Sequence, residues 1–260
     1  MTPSGLQALR SEPDAAALLL DVDGTLAPIV ADPDAAQVPP ETAAALADLA
    51  DRYLLVACIS GRHALDARRI VGLDRLIYAG NHGLELLLPG EEATALDPRV
   101  GDGAGLAEAF TSRLDREALA AAGVRLEDKG PIHALHWRGA ADADEAEARA
   151  EEIAAEAAAA GLDVRRGRLV IEFRPKVAVD KGTAVAGLVE RAGAAAALYA
   201  GDDRTDLDAF AALRRLASDG TLRTAVCVGV ASDEGPDEIQ RDADVVVNST
   251  GELTDLLRSL

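Results

Sequence analysis

Residues 18–25 read Leu18-Leu19-Leu20-Asp21-Val22-Asp23-Gly24-Thr25. Three apolar residues run straight into two carboxylates, a glycine and a hydroxyl. The pattern predicts a buried strand over residues 17–21 that delivers charged groups to its carboxyl end, the edge of an open α/β sheet where ligands bind. Residues i and i+2 of a strand share a face, so Asp21 and Asp23 can point into one pocket. Gly24 permits the sharp exit turn, and Thr25 can bond locally or to a bound anion. Two adjacent carboxylates repel each other; a divalent cation relieves this, because hard cations prefer oxygen ligands. One carboxylate can then act as nucleophile and the other as proton donor and acceptor. Taken alone, the octapeptide also fits a strand followed by an Asp-Gly turn with solvated acids.

The chain has 260 residues, of which 49% are hydrophobic and only 3% aromatic, so its core is aliphatic and Ala-rich. A net charge of -19 argues against nucleic-acid or anionic-membrane partners. An anionic substrate would have to be drawn in by local cations. The only lysines are Lys129, Lys176 and Lys181, so each merits its own question. Cys58 and Cys227 lie in apolar runs and read as buried thiols in a reducing compartment, a disulfide being the alternative. No basic segment followed by a long apolar stretch opens the chain, and no apolar run approaches a membrane span. The expected location is cytoplasmic.

Outward from the octapeptide, strand and helix signals alternate. A helix opens at Pro39-Pro40-Glu41 and runs to about Arg52. Residues 53–60 form an apolar strand ending in Ser60-Gly61-Arg62, 63–71 a helix, and 76–79 a strand. Gly80-Asn81-His82-Gly83 is a turn before 84–88. This β-α-β-α-β rhythm implies a parallel, doubly wound sheet. The middle differs. After a Gly-rich boundary at 101–105 come a helix at 106–122, short strands at 124–128 and 132–138 joined by Lys129-Gly130-Pro131, an Ala/Glu helix at 142–160, and strands at 163–165 and 168–174. That order suggests an inserted α+β domain, an antiparallel sheet plus two helices, at 101–177. Alternation then resumes, with helices at 182–192, 207–216 and 252–260 and strands at 196–200, 225–230 and 244–247. Residues 1–100 and 178–260 thus make one α/β core.

Three further loops carry chemistry. Tyr199-Ala200-Gly201-Asp202-Asp203-Arg204-Thr205-Asp206 repeats the logic of the octapeptide. Asp202 can reach the same sheet edge as Asp21 and ligate a metal, with Asp203 or Asp206 holding metal-bound water; Thr205 can instead be a helix cap. Such an oxygen set suits octahedral Mg²⁺. Ser60, with backbone N–H groups of Gly61 and Arg62 at a helix start, offers a phosphate seat or a simple N-cap. Lys181 precedes a helix and can neutralise both a carboxylate and a phosphate, or lie on the surface. Together these pieces fit phosphate-monoester hydrolysis. Asp21 attacks phosphorus, Asp23 protonates the departing sugar oxygen and then activates water, and Mg²⁺, Ser60 and Lys181 hold the transferring group.

The motif order resembles the haloacid dehalogenase superfamily of phosphatases. The resemblance implies a Rossmann-like core with a larger α/β cap. It also implies Mg²⁺ bound by Asp21, the backbone carbonyl of Asp23, and Asp202. Finer resemblance, through Ser60-Gly61-Arg62, Gly80-Asn81-His82-Gly83-Leu84-Glu85, Leu126-Glu127-Asp128-Lys129-Gly130, His136-Trp137-Arg138, Val170-Ile171-Glu172-Phe173-Arg174-Pro175 and Gly201-Asp202-Asp203, is to the trehalose-6-phosphate phosphatase family. Asn81 departs from that pattern, in which a small residue precedes His-Gly. The resemblance implies that Glu127, Lys129 and Glu172 grip the sugar of a small sugar-phosphate substrate. A trehalose-phosphate synthase is then the candidate protein partner.

The residues themselves allow that reading. Glu127 and Lys129 lie two apart on a strand, as do Glu172 and Arg174, so each pair shares a face. They can meet sugar hydroxyls, or pair with each other across the sheet. His136 and Arg138 can face the sugar or serve structure. Trp137 reads as core, and His133 and His136 fall on opposite faces, so they do not ligate a metal together.

Overall fold

In the computed structural model of the chain, which describes residues 4–30, 32–167, 169–232 and 235–260, every residue of the strand β1 (Ala16–Leu20) is buried. The remaining strands are β2 (Leu55–Ile59), β3 (Ile77–Gly80), β4 (Glu85–Leu87), β5 (Ala95–Leu96), β6 (Arg125–Asp128), β7 (His133–His136), β8 (Asp163–Gly167), β9 (Val170–Arg174), β10 (Ala196–Gly201), β11 (Thr224–Val230) and β12 (Val245–Val247). They form two sheets, of order β12-β11-β10-β1-β2-β3-β4-β5 and β6-β7-β9-β8. Contacts divide the chain into a first unit, residues up to Ala95 with Val179–Leu260, and a second, Leu96–Ala178.

The large sheet is parallel from β12 to β3. Its strands read as continuous apolar runs because both faces are covered. Leu18 and Leu20 pack on one side, with helices Ser4–Ser11, Pro40–Arg52, Ala64–Val71 and Thr250–Arg258. Ala17 and Leu19 pack on the other, with Lys181–Ala192, Asp206–Ser218 and Asp237–Asp242. Cys58 and Cys227 fall in opposite cores and are free, buried thiols, so the disulfide alternative does not arise. The segment after β3 closes as an antiparallel hairpin with β4, where the alternating rhythm had suggested only another strand.

In the second unit, one face of the antiparallel sheet is apolar. Leu135, Ile171 and Phe173 pack against Ala146, Ala150, Ile153, Ala154 and Ala157 of helix Ala143–Ala159. Those five positions make one helical stripe. Phe110 meets Phe173 edge to face at 5.7 Å between centroids, and Trp137 lies in this core, as its sequence context implied. The single helix expected over 106–122 is two, Ala104–Thr111 and Arg116–Ala121. Asp115 restarts the second by accepting hydrogen bonds from the N–H groups of Glu117 (3.0 Å) and Ala118 (3.1 Å), an N-cap that outcompetes helix continuation. The expected strand start at Arg168 lies outside the described residues.

Leu19 lies within β1 with no exposed surface. Leu19→Ala should therefore lower unfolding free energy by about 2–5 kcal/mol, read from the denaturant midpoint of the whole chain.

Candidate active site

Parallel register brings distant sequence to one edge. Leu20 of β1 is paired with Ala200 of β10 and with Cys58 of β2. The next residues of the three strands, Asp21, Gly201-Asp202 and Ile59-Ser60, therefore emerge together. The Asp21 N–H donates to the Ala200 carbonyl at 2.9 Å, carrying the alignment one step beyond the strand. β1 lies between strands reached in opposite directions, the crevice position of a doubly wound sheet. Gly24 has a φ of +83°, and a Cβ there would fall 2.2 Å from Oδ2 of Asp202. The glycine is required both by its backbone and by close approach. The Thr25 hydroxyl, expected to bond locally or to an anion, instead donates to Oδ1 of Asp202 at 2.9 Å in a buried contact.

Lys181 is the first residue of helix Lys181–Ala192 and is 3% exposed, so the surface reading of this lysine is excluded. A reciprocal cap places it: the Asp180 carboxylate accepts the Thr183 N–H (2.7 Å), and the Thr183 hydroxyl oxygen accepts the Asp180 N–H (2.9 Å). The ammonium donates to Oδ1 of Asp21 at 2.6 Å and to Oδ1 of Asp206 at 2.7 Å. Asp206 also accepts from the Tyr199 hydroxyl at 2.5 Å, and from the N–H groups of Asp202 (3.0 Å) and Asp203 (2.9 Å). Four donors thus converge on its two oxygens. A Cβ on Gly201 would lie 2.3 Å from the Asp206 carboxyl carbon, so the glycine admits this acid beneath the loop. The Asp203 side chain is exposed and accepts from the Arg204 N–H. Thr205 stands before helix Asp206–Ser218 without a capping hydrogen bond.

Asp21, Asp202 and Asp206 are buried, and each offers an oxygen within 4.8 Å of the others. One ammonium faces three carboxylates. Burial pulls Lys181 toward neutrality, but Asp206 and Asp21 outweigh it and hold the ammonium protonated well beyond the usual lysine range. Burial raises Asp21 well above the ordinary carboxylate range, against the pull of Lys181. Burial pushes Asp202 up to about 7; the charge of Asp206 adds to this and the Thr25 hydrogen bond opposes it. The site therefore gathers more acid than its one ammonium can compensate, and burial resists ionising all three together. Among the described residues, the hydrogen bonds to Asp21 and Asp202 fall on Oδ1 alone. An all-oxygen donor set with more acids than cations fits a divalent metal ion, which favours their ionised form.

Beside this cluster, Ser60 is buried and its Oγ accepts the Arg62 N–H at 3.1 Å. It does not cap the following helix; His63 does, accepting the Leu65 N–H on Nδ1 at 3.3 Å. Arg62 forks onto both oxygens of Asp23, Nε to Oδ2 and Nη2 to Oδ1, each at 2.7 Å. Sequence reasoning had grouped Arg62 with the phosphate and Asp23 with the metal and leaving group; it did not connect the two. Glu85, to which sequence reasoning assigned no separate role, is a buried anchor. Its Oε1 accepts the Ala64 N–H (2.8 Å) and the Asn81 amide (2.9 Å), and its Oε2 lies 3.3 Å from His63. Asn81 stands in the left-handed region at φ 51°, a conformation asparagine tolerates.

On the second unit's polar sheet face, register lines up Glu127, Ala134 and Glu172. Nε2 of His136 lies 2.6 Å from Oε2 of Glu127, and Lys129 donates to Glu172 at 3.0 Å. The His136 hydrogen bond, with help from Lys129, holds Glu127 down to about 2 despite partial burial. The cross-strand pairing that the sequence allowed is thus present among the expected sugar-binding residues. Arg174 is buried, whereas Arg138 is exposed in the turn beyond the end of β7. His133 faces away, with Nδ1 2.7 Å from the Thr111 hydroxyl.

A carboxyl whose value lies above its unfolded one keeps a proton that the unfolded chain has released. Between 3.8 and about 7, the Asp202 contribution to stability is therefore lost as pH rises. Chelator-treated protein should melt at a lower temperature at about pH 8 than at about pH 5. The slope should be shallower in Asp202→Asn, and a divalent cation should restore stability at the higher pH in the parent alone. Calorimetry at matched ionic strength checks all three.

Three comparisons bear on this geometry. The family model described as Trehalose-phosphatase matches residues 19–244. The trehalose-phosphate phosphatase of Mycobacterium avium is 39% identical over 232 residues, covering 82% of this chain and 56% of that protein. That of Mycobacterium bovis is 38% identical over 205 residues, covering 75% of this chain and 50% of that protein. The chain thus spans about half the length of the curated relatives it matches. In fold, the C-terminal domain of Candida albicans trehalose-6-phosphate phosphatase superposes with a TM-score of 0.72 at 23% identity, over 99% of this chain and 95% of that one. The matched span runs from the apolar run of β1 past the Asp202 loop and takes in Lys181, so by sequence and by architecture this chain belongs to the trehalose-phosphatase family.

Proposed function

We propose that this chain is a phosphatase that hydrolyses trehalose 6-phosphate to trehalose and inorganic phosphate. The observation that carries the reading is the buried contact of Lys181 with Asp21 at 2.6 Å, beside Asp202, in a chain of this family. Asp21 is the nucleophile. Its oxygen bonds to phosphorus as the bond from phosphorus to the sugar oxygen breaks, giving an aspartyl-phosphate. Asp23 gives its proton to the departing sugar oxygen, then takes one from the water that attacks phosphorus and frees Asp21. Lys181 keeps Asp21 aimed, opposes the upward pull of burial on its carboxyl and, with Ser60 and the Gly61 backbone, compensates charge on the phosphoryl oxygens. Asp21, Asp202 and the backbone carbonyl of Asp23 would hold Mg²⁺, with Asp203 and Asp206 as its outer acids. Bound there, the ion supplies further positive charge for the transferring group.

The chemical complement of the sugar is the polar face of the second unit. Glu127, Lys129 and Glu172, with His136, Arg174 and Arg138, offer acceptors and donors for sugar hydroxyls. A trehalose-phosphate synthase is the proposed partner, because it makes the substrate. The free thiols of Cys58 and Cys227 support a cytoplasmic location. No helix among the described residues is long and apolar enough to cross a membrane.

Asp21→Asn should lower kcat by at least about a thousandfold in protein that still folds, as read by circular dichroism. Normal turnover in this variant would remove the nucleophile assignment. Glu127→Ala should raise KM for trehalose 6-phosphate by about tenfold, the cost of one charge-assisted hydrogen bond. A phosphate-release panel that includes sucrose- and glycosyl-glycerate-type sugar phosphates tests the substrate. Equal or better kcat/KM on one of those would transfer the assignment to it.

A further inference from the structure

Arg62 reaches Asp23 with a geometry that a phosphate ligand does not need. Nε and Nη2 donate to the two oxygens of Asp23, each at 2.7 Å, and Nη1 donates to the Pro33 carbonyl at 2.9 Å. The guanidinium is thereby clamped between the acid and the loop that follows it. Its own backbone is pinned as well. The Arg62 N–H donates to Oγ of Ser60 at 3.1 Å, and the Arg62 carbonyl accepts the Asn81 N–H at 2.7 Å. The side chain of Asp23 is 36% exposed, so packing alone does not fix its carboxyl plane. A planar fork does, because it bonds both oxygens at once. A lysine at this position would offer a point charge without that directional hold.

We propose that Arg62 is a positioning residue for Asp23, setting the direction from which the proton reaches the leaving oxygen, and not a ligand of the phosphate. The proposal rests on the phosphatase reading above. In the step concerned, the bond from phosphorus to the leaving oxygen breaks, the bond from Asp21 to phosphorus forms, and the proton that Asp23 carries on a lone pair left free by the fork moves to the leaving oxygen. A sugar alkoxide needs that proton. A nitrophenolate leaves without it. Loss of the fork should therefore depend on the leaving group, whereas loss of a phosphate ligand should not.

The test compares kcat/KM for trehalose 6-phosphate and for p-nitrophenyl phosphate, since this ratio reports only steps through transfer to Asp21. Arg62→Lys and Arg62→Gln should each lose at least about tenfold more on the sugar phosphate than on the aryl phosphate, within the range that general acid catalysis contributes. The inhibition constant of inorganic phosphate should change by less than about threefold, a change too small for a lost charge-assisted contact. In an Asp23→Asn background, adding Arg62→Lys should leave the ratio between the two substrates where Asp23→Asn alone puts it. Equal losses on both substrates with weakened phosphate inhibition would make Arg62 a phosphate ligand and overturn the proposal. Losses that follow only the melting temperatures of the two variants would overturn it in favour of a structural role. If the parent protein released phosphate from neither substrate, the phosphatase reading would fall and this inference with it. The equal-loss outcome leaves that reading standing.

Discussion

One buried ammonium set among three buried carboxylates is the arrangement on which the rest of the first unit depends. Lys181 stands at the start of a helix, where the backbone dipole disfavours a cation. It is held there by Asp21 at 2.6 Å and Asp206 at 2.7 Å, and by the reciprocal cap between Asp180 and Thr183. Each partner needs its own support. Asp206 needs the missing Cβ of Gly201 and the hydroxyl of Tyr199; Asp202 needs the missing Cβ of Gly24 and the hydroxyl of Thr25. Removing one partner from a buried ion pair leaves an uncompensated charge and costs about 3–5 kcal/mol. The cluster is therefore costly for stability alone. A fold that keeps three acids out of water and aligns them at the strand tips is built around what those acids can hold.

Much of this was readable in the chain because strand-end motifs are local. The run of leucines ending in Asp21-Val22-Asp23-Gly24 shows its strand, its exit turn and its acids within eight residues. The loop at Gly201-Asp202 repeats them. Parallel pairing does the rest, since one register places all such tips at the same edge. The partners of each side chain were not readable. A single lysine carries no periodicity, so the burial of Lys181 appears only once β1 and β10 are adjacent. Arg62 and Asp23 are joined by packing across 39 positions of sequence, and nothing local marks the pair. Short elements escaped for another reason. Helix Ser4–Ser11 buries only Leu6 and Leu9, too few apolar positions to show a period. The break at residues 112–115 turns on one cap, Asp115, inside an otherwise good helical composition.

The second unit shows how polar groups can be readied for a ligand without one. Glu127 is tied to His136 and Lys129 to Glu172, so each side chain has a partner within hydrogen-bond distance on a half-buried sheet face. Ala134, in register between Glu127 and Glu172, keeps the middle of that row low. Unpaired, these groups would sample many rotamers and would have to be ordered when a ligand arrives. Paired, they have already given up that freedom. Partly exposed ion pairs contribute little to stability, so replacing a partner's proton or lone pair with a sugar hydroxyl loses little. Glu127, held down to about 2, stays an acceptor across any physiological pH. Pairing across the sheet and the proposed sugar binding are therefore compatible readings of these residues. In the proposed phosphatase the first would be the resting arrangement that makes the second inexpensive.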